Sequence, residues 1–198
     1  MVKPNSKNSI LLVIDVVNFC CESKHHKKIR TMVQKLVPFI TKFKKRIGGS
    51  LIYVNCTRWD KKHLPDNLNE LYKNPRATYY TTDKTGHSEK FYKLQPEKED
   101  IIITKNSYDA FVNPSLDKIL KKKKIKYLII TGIYGDGCVH ATIQGGFSKN
   151  YHFIILKDLI ETTDQPRRQK FQNTFKRYTW PIMFGKTINA KDLFTLLK

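Results

Sequence analysis

Three residues of this 198-residue chain have the chemistry to cleave an acyl bond together: Cys138, Asp15 and Lys105. Cys138 follows an apolar run and a glycine-punctuated turn, Tyr127-Leu-Ile-Ile-Thr-Gly-Ile-Tyr-Gly-Asp-Gly137, and opens a helical pattern over 139–147. A thiol in the first turn of a helix feels the positive end of the helix dipole and unpaired N–H groups, which favour thiolate. Gly132, Gly135 and Gly137 permit the tight, partly left-handed path that presents a side chain at a strand's carboxyl end. A free cysteine is otherwise a small buried hydrophobe, so its company decides. Asp15 ends the run Ile10-Leu-Leu-Val-Ile14, and Lys105 ends Ile101-Ile-Ile-Thr104. Such continuous runs are strands of a parallel sheet buried on both faces, and its carboxyl edge is where open α/β folds bind ligands. Taken singly, Asp15 caps a turn and Lys105 is a solvated strand end. Together on one rim, the ammonium lowers the thiol's pKa, the carboxylate takes its proton, and the thiolate attacks a carbonyl carbon.

The elements that must position these three alternate along the chain. A strand near 10–15 leads to a helix over 24–47, with Ile29, Met32, Val33, Leu36, Val37, Ile40 and Phe43 at helical spacing. Gly48-Gly49 ends it. A strand at 51–55 and a short helix near 66–73 follow. Strands at 101–104, 127–131 and 152–156 alternate with helices near 114–123 and 138–149, and a last set reads helix 166–178, strand 181–184, helix 190–197. This order predicts a three-layer α/β/α fold: about six mainly parallel strands, doubly wound in the Rossmann manner, with helices on both faces. One domain, 1–198, is expected, with a lid or insert near 59–100. That stretch carries Thr78-Tyr-Tyr-Thr-Thr82 and is long for a loop. It reads as a lid shaping substrate choice, as a dimer contact, or as a small hairpin under the sheet edge.

Four segments carry a family likeness: Leu11-Leu-Val-Ile-Asp-Val-Val-Asn18, Ile102-Ile-Thr-Lys-Asn-Ser-Tyr-Asp-Ala-Phe111, Ile130-Thr-Gly-Ile-Tyr-Gly-Asp-Gly-Cys-Val139 and Asn150-Tyr-His-Phe-Ile-Ile-Leu-Lys-Asp158. In this order they resemble the isochorismatase-like cysteine hydrolases, the superfamily of nicotinamidases and N-carbamoylsarcosine amidases. The resemblance implies a hydrolase of a small amide or carbamoyl compound, working through a Cys138 thioester with Asp15 as base and acid and Lys105 as the cation. It implies a cis peptide at Ile133-Tyr134 and an oxyanion hole from the backbone N–H groups of Tyr134 and Cys138. It further implies substrate contacts at Asn18, Phe19, Trp59 and Phe111, and a dimer or tetramer. Isochorismatase-type vinyl-ether hydrolysis, or a non-catalytic binding member of the fold, is the alternative.

The departures are specific. The usual Asp-x-x-Asn-Asp-Phe opening is here Asp15 to Asn18 followed directly by Phe19 and Cys20, and Tyr134 replaces a smaller residue. Nicotinamidases carry Asp-x-His and a further histidine after the second strand. Val54-Asn-Cys-Thr-Arg-Trp-Asp-Lys-Lys-His63 offers only Asp60 and His63, too few ligands for a usual protein metal site. No metal or other cofactor is expected, and nicotinamide is disfavoured as substrate. Of the other histidines, His25-His26 reads as a solvated cationic helix start and His87 as a lid residue in reach of substrate. His140 faces away from the thiol, and His152 begins a strand.

The net charge of +20 raises nucleic-acid binding. Yet the charge is mostly lysine spread along the chain rather than the arginine of specific readers, so contact with nucleic acid is at most nonspecific. The field should instead attract anionic substrates and acidic partners, less so at high salt. Cysteines 20, 21, 56 and 138 show no extracellular framework spacing. Neither a signal peptide nor an apolar stretch of membrane-spanning length, roughly 20 residues, is evident. A cytoplasmic location is the simplest expectation.

Overall fold

A computed structural model describes residues 3–49 and 51–197. Six strands, β1 (Ser9–Ile14), β2 (Ile52–Cys56), β3 (Ile101–Lys105), β4 (Tyr127–Ile133), β5 (His152–Glu161) and β6 (Gly185–Ile188), form one sheet. Their order is β3-β2-β1-β4-β5-β6, and every neighbouring pair is parallel. The helices are α1 (Asn18–Cys21), α2 (Lys27–Ile47), α3 (Asp66–Leu71), α4 (Pro114–Lys122), α5 (His140–Ser148), α6 (Pro166–Thr174) and α7 (Leu193–Leu196).

The central strands show why a continuous apolar run is needed. Along β1, Leu11 and Val13 join a core with Ile29, Leu36 and Phe43 of α2. Ile10, Leu12 and Ile14 join a second core with Leu116 of α4 and Ile143 of α5. Side chains alternate across a strand, so a strand covered on both faces must be apolar at every position. Strand order reverses between β1 and β4, and the crevice beyond their carboxyl ends is where doubly wound folds bind ligands. Gly132 lets these two strands approach there. Its φ is +119°, and a Cβ would stand 2.1 Å from the carbonyl oxygen of Ile14.

Three element expectations change. Helix α2 starts at Lys27 rather than residue 24, because the Asp164 carboxylate, from beyond β5, accepts the N–H groups of Lys27 and Lys28 at 2.8 and 2.9 Å. The stretch 181–184 is not a strand. Phe175–Phe184 continues α6 as a wide helical coil around the buried Trp180, and pairing with Phe153–Leu156 begins only at Gly185. The 59–100 segment contains α3 and an isolated bridge between Phe91 and Val17, and among the described residues it forms no hairpin. No helix among the described residues is long and apolar enough to cross a membrane.

Candidate active site

Asp15 leaves β1 with φ 53° and donates its N–H to the carbonyl of Val54 at 2.8 Å, which turns its side chain into the crevice. Lys105 reaches it from the end of β3. Its Nζ donates to Asp15 Oδ2 at 2.8 Å, to the carbonyl of Ser107 at 2.9 Å and to Cys138 Sγ at 3.4 Å. Both charged side chains are withdrawn from water, at 0% and 3% exposure for Lys105 and Asp15. A buried pair of this kind persists only with good geometry and further hydrogen bonds. Asp15 Oδ1 is buried and has no hydrogen-bond partner among the described residues.

Burial pushes the Lys105 amine down, but the charge of Asp15, with Cys138 and Cys56 behind it, outweighs burial and raises its pKa above the usual value. It is an ammonium throughout the working pH range. Burial pushes the Cys138 thiol up, Asp15 adds to the rise, and Lys105 opposes both without prevailing. The resting sulfur is therefore a thiol, contrary to what its place before a helix suggests. The physical reason is its position: α5 begins at His140, and Cys138 lies in the wide turn Gly135–Val139, buried against Asp15.

That turn closes on Tyr134, whose carbonyl accepts the N–H groups of Gly137 and Val139 at 3.0 and 3.1 Å. The Ile133–Tyr134 peptide bond is cis. Helix α6 grips the turn from outside. Arg168 donates Nε and Nη2 to the two carboxylate oxygens of Asp136, both at 2.7 Å, and its guanidinium lies 4.9 Å from the Tyr134 ring centre. Thr162 donates its hydroxyl to the same carboxylate at 2.5 Å. Nothing in the sequence singles out Arg168, since Arg167-Arg168 reads as an ordinary charged helix face.

A cavity of about 700 Å³ opens onto Asp15 and Cys138. Phe19, Trp59 and Tyr134 line it, and Tyr72, Tyr79 and Tyr80 bring the insert into the wall. Two expected contacts do not. Asn18 turns its amide away, donating to the carbonyl of His87 at 3.0 Å and lying 3.3 Å from its Nδ1, so it ties α1 to the insert. Phe111 is redirected by Asp109, whose carboxylate accepts the Phe111 N–H at 2.9 Å and starts a short 3₁₀ turn. The ring then stacks on Tyr151, 5.7 Å between centres, in the core beside α5. Tyr108 lines the cavity instead, 6.2 Å from Trp59 between ring centres.

The histidines are redistributed as well. His26 is buried, bonds through Nδ1 to the carbonyl of Cys20 at 2.8 Å, and lines the cavity with His25. His140 also lines it, stacked on Phe175 at 4.3 Å, with Nδ1 accepting from Trp180 Nε1 at 3.2 Å. His87 is outside the lining and pairs with Glu22 at 3.0 Å. Asp60 and His63 bond to each other at 2.7 Å, and among the described residues no three His, Cys, Asp or Glu side chains converge as metal ligands would.

A family model of the isochorismatase domain matches residues 9–186. The chain belongs to the isochorismatase family. It is a hydrolase of that family, similar over 181 residues to the ureidoacrylate amidohydrolase RutB of Yersinia enterocolitica, at 29% identity across 82% of this chain and 79% of that one. Similarity to the enzyme of the same name from Klebsiella pneumoniae is local, 40% identity over 65 residues and 28% of that chain. Among solved structures, the fold is shared with a cysteine hydrolase of Pseudomonas syringae pv. phaseolicola: TM-score 0.83, 20% identity, 100% and 95% of the two chains covered. It is shared too with the N-carbamoylsarcosine amidase of Thermoplasma acidophilum: TM-score 0.68, 21% identity, 92% and 96% covered. The nicotinamidase SaPncA of Staphylococcus aureus gives 0.60 at 17% identity, with 86% and 94% covered.

Proposed function

We propose that this isochorismatase-family chain is a thiol amidohydrolase that cleaves the C–N bond of an amide or carbamoyl compound through a thioester on Cys138. The observation that carries the reading is the contact of buried Lys105 Nζ with both Asp15, at 2.8 Å, and Cys138, at 3.4 Å, the two residues that the cavity opens onto. The amidohydrolase named among its relatives supports the same bond type.

The chemistry follows from the protonation states. Cys138 rests as a thiol, so attack begins with proton transfer to Asp15, whose Oδ1 has no other partner among the described residues. Lys105 holds Asp15 in place through Oδ2 and stabilises the thiolate as it forms. The thiolate adds to the carbonyl carbon, and the N–H groups of Tyr134 and Cys138 receive the oxyanion. Asp15 returns its proton to the departing amine, and water then opens the thioester, delivering its own proton to Asp15 and restoring the thiol. Nucleophile, base and cation are all side chains, so the course needs no metal. Ammonia release from a panel of amides and ureides, compared between the parent and Cys138→Ala, tests this. Release that requires Cys138 supports the proposal, and release undiminished in the variant overturns it.

A further inference from the structure

The charges that line the cavity are already matched. Asp15 is paired with Lys105, and Asp136 with both nitrogens of Arg168. Among the described residues no other carboxylate, lysine or arginine lines the space. His25 also lines it, exposed to solvent. His26 and His140 are held uncharged near neutral pH. Burial lowers the pKa of each, and at His26 the Cys20 carbonyl and Asp164 offset this only in part. A substrate carboxylate entering here meets no unpaired permanent cation, and each cation it approaches carries an anion beside it. Withdrawing an anion from water into such a site goes uncompensated.

Ser23, Gln144, Thr163 and Gln165 give one side of the cavity uncharged polar groups, and the side formed by Tyr108 and the insert is rings with their polar edges turned on one another. Trp59 Nε1 donates to the Tyr72 hydroxyl at 3.0 Å, and that hydroxyl lies 3.5 Å from the hydroxyl of Tyr108. Tyr79 and Tyr80 each stand edge-on to Tyr72, at 5.8 and 5.1 Å between centres. With these edges joined to each other, what the insert offers a ligand is mainly ring surface, suited to stacking and apolar burial. The space is also large. At about 700 Å³ it falls among cavities that enclose drug-sized ligands, roughly 300–1,000 Å³. A carbamoyl acid of about nine heavy atoms, at roughly 30 Å³ for each water-sized atom, fills well under half of it.

We infer that the substrate is an uncharged amide or ureide whose acyl arm carries an extended flat aromatic group, stacked along Trp59 and the tyrosines of the insert, and that anionic carbamoyl acids are poor ligands. The inference rests on the amidohydrolase reading for the bond cleaved, but its evidence is the lining rather than the thiol. It also separates two effects of charge. The net charge of +20 draws anions toward the protein from a distance, an attraction that salt screens. Selection inside the cavity does not depend on that field.

Binding to the Cys138→Ala protein, which cannot consume its ligand, separates this inference from the question of turnover. The probes are 2-naphthylacetamide, benzamide, 3-ureidopropionate and trimethylammonioacetamide, titrated by calorimetry at low and high salt. The naphthyl amide should bind at least about tenfold more tightly than benzamide and more tightly than either charged probe at both salts. Trp59→Ala, added to the same background, should weaken it at least about tenfold while the unfolding temperature confirms a folded chain. Stronger binding of 3-ureidopropionate at high salt, stronger binding of the cationic amide, or no binding of the naphthyl amide to a folded protein overturns the inference. Naphthyl-amide binding without ammonia release by the parent enzyme would uphold it and count instead against the thiol amidohydrolase reading.

Discussion

Lys105 and Asp15 bond at 2.8 Å although they leave strands that are not neighbours, β2 lying between β3 and β1. Strand axes two apart are separated by roughly 9.6 Å, a gap that the long lysine stem, laid over the end of β2, spans. The same path carries Nζ under the Trp59 ring, 5.7 Å from its centre, and against Cys138. One buried cation thus joins the ends of β1 and β3 and the turn after β4.

Removing that cation should be costly in two separable ways. Lys105→Met leaves Asp15 as a buried unpaired carboxylate and should lower stability by about 3–5 kcal/mol in urea unfolding. The double variant Lys105→Met, Asp15→Leu should regain most of that stability without regaining activity. A single variant as stable as the parent would contradict the view that the pair is held in the fold by mutual need.

Alkaline pH should weaken the fold through its buried thiols. Cys21 is pushed up to about 12, first by burial and then by the charge of Glu22, with Arg30 opposing. In the unfolded chain a thiol ionises near 8.5, so the unfolded state loses its proton first (roughly the ordinary value). The stabilisation is complete below about pH 8.5 and is lost as pH rises toward the folded value, at up to about 1.4 kcal/mol per pH unit. The unfolding temperature of the parent should fall across this window, and Cys21→Ala should fall less steeply.

Gly132→Ala should lower stability by about 3 kcal/mol or more in the same urea experiment. The added Cβ meets the Ile14 carbonyl at 2.1 Å in a left-handed backbone, with main chain rather than a movable side chain in the way. Activity should fall with it, because the contact joins the strands that deliver Asp15 and Cys138.

Phe111 and Trp59 should behave oppositely. Phe111→Leu thins a core contact against Tyr151 and should cost about 1 kcal/mol of stability with KM unchanged. Trp59→Leu should raise KM several-fold at little change in kcat, since the ring lines the cavity without touching the reacting atoms in the proposed course. Steady-state kinetics on the substrate found by the ammonia panel decides between these outcomes.

Much of the architecture is readable because it depends on local pattern. The unbroken apolar runs of β1 and β4 declare burial on both faces, and Asp15 follows from where the β1 run stops. Lys105 follows from the end of the β3 run, although β3 proves to be the sheet's edge strand and leaves Ile102 exposed rather than buried on both faces. What escapes the sequence depends on long-range contacts. Phe111 reads as a pocket residue until Asp109 caps its turn and swings it into the core. His26 reads as solvated until Cys20, six residues earlier, supplies a carbonyl beneath it. Arg168 is invisible because its partner, Asp136, lies 32 positions away. The protonation of Cys138 is misjudged for a similar reason: burial and a neighbouring carboxylate, neither visible locally, outweigh the lysine.

The central claim is a covalent intermediate on Cys138, and mass spectrometry of the enzyme quenched during turnover tests it most directly. The account predicts that a peptide containing Cys138 gains the mass of the substrate's acyl group, and that the adduct disappears as substrate is exhausted. Sustained turnover with Cys138 unmodified, together with an active Cys138→Ala variant, would contradict it.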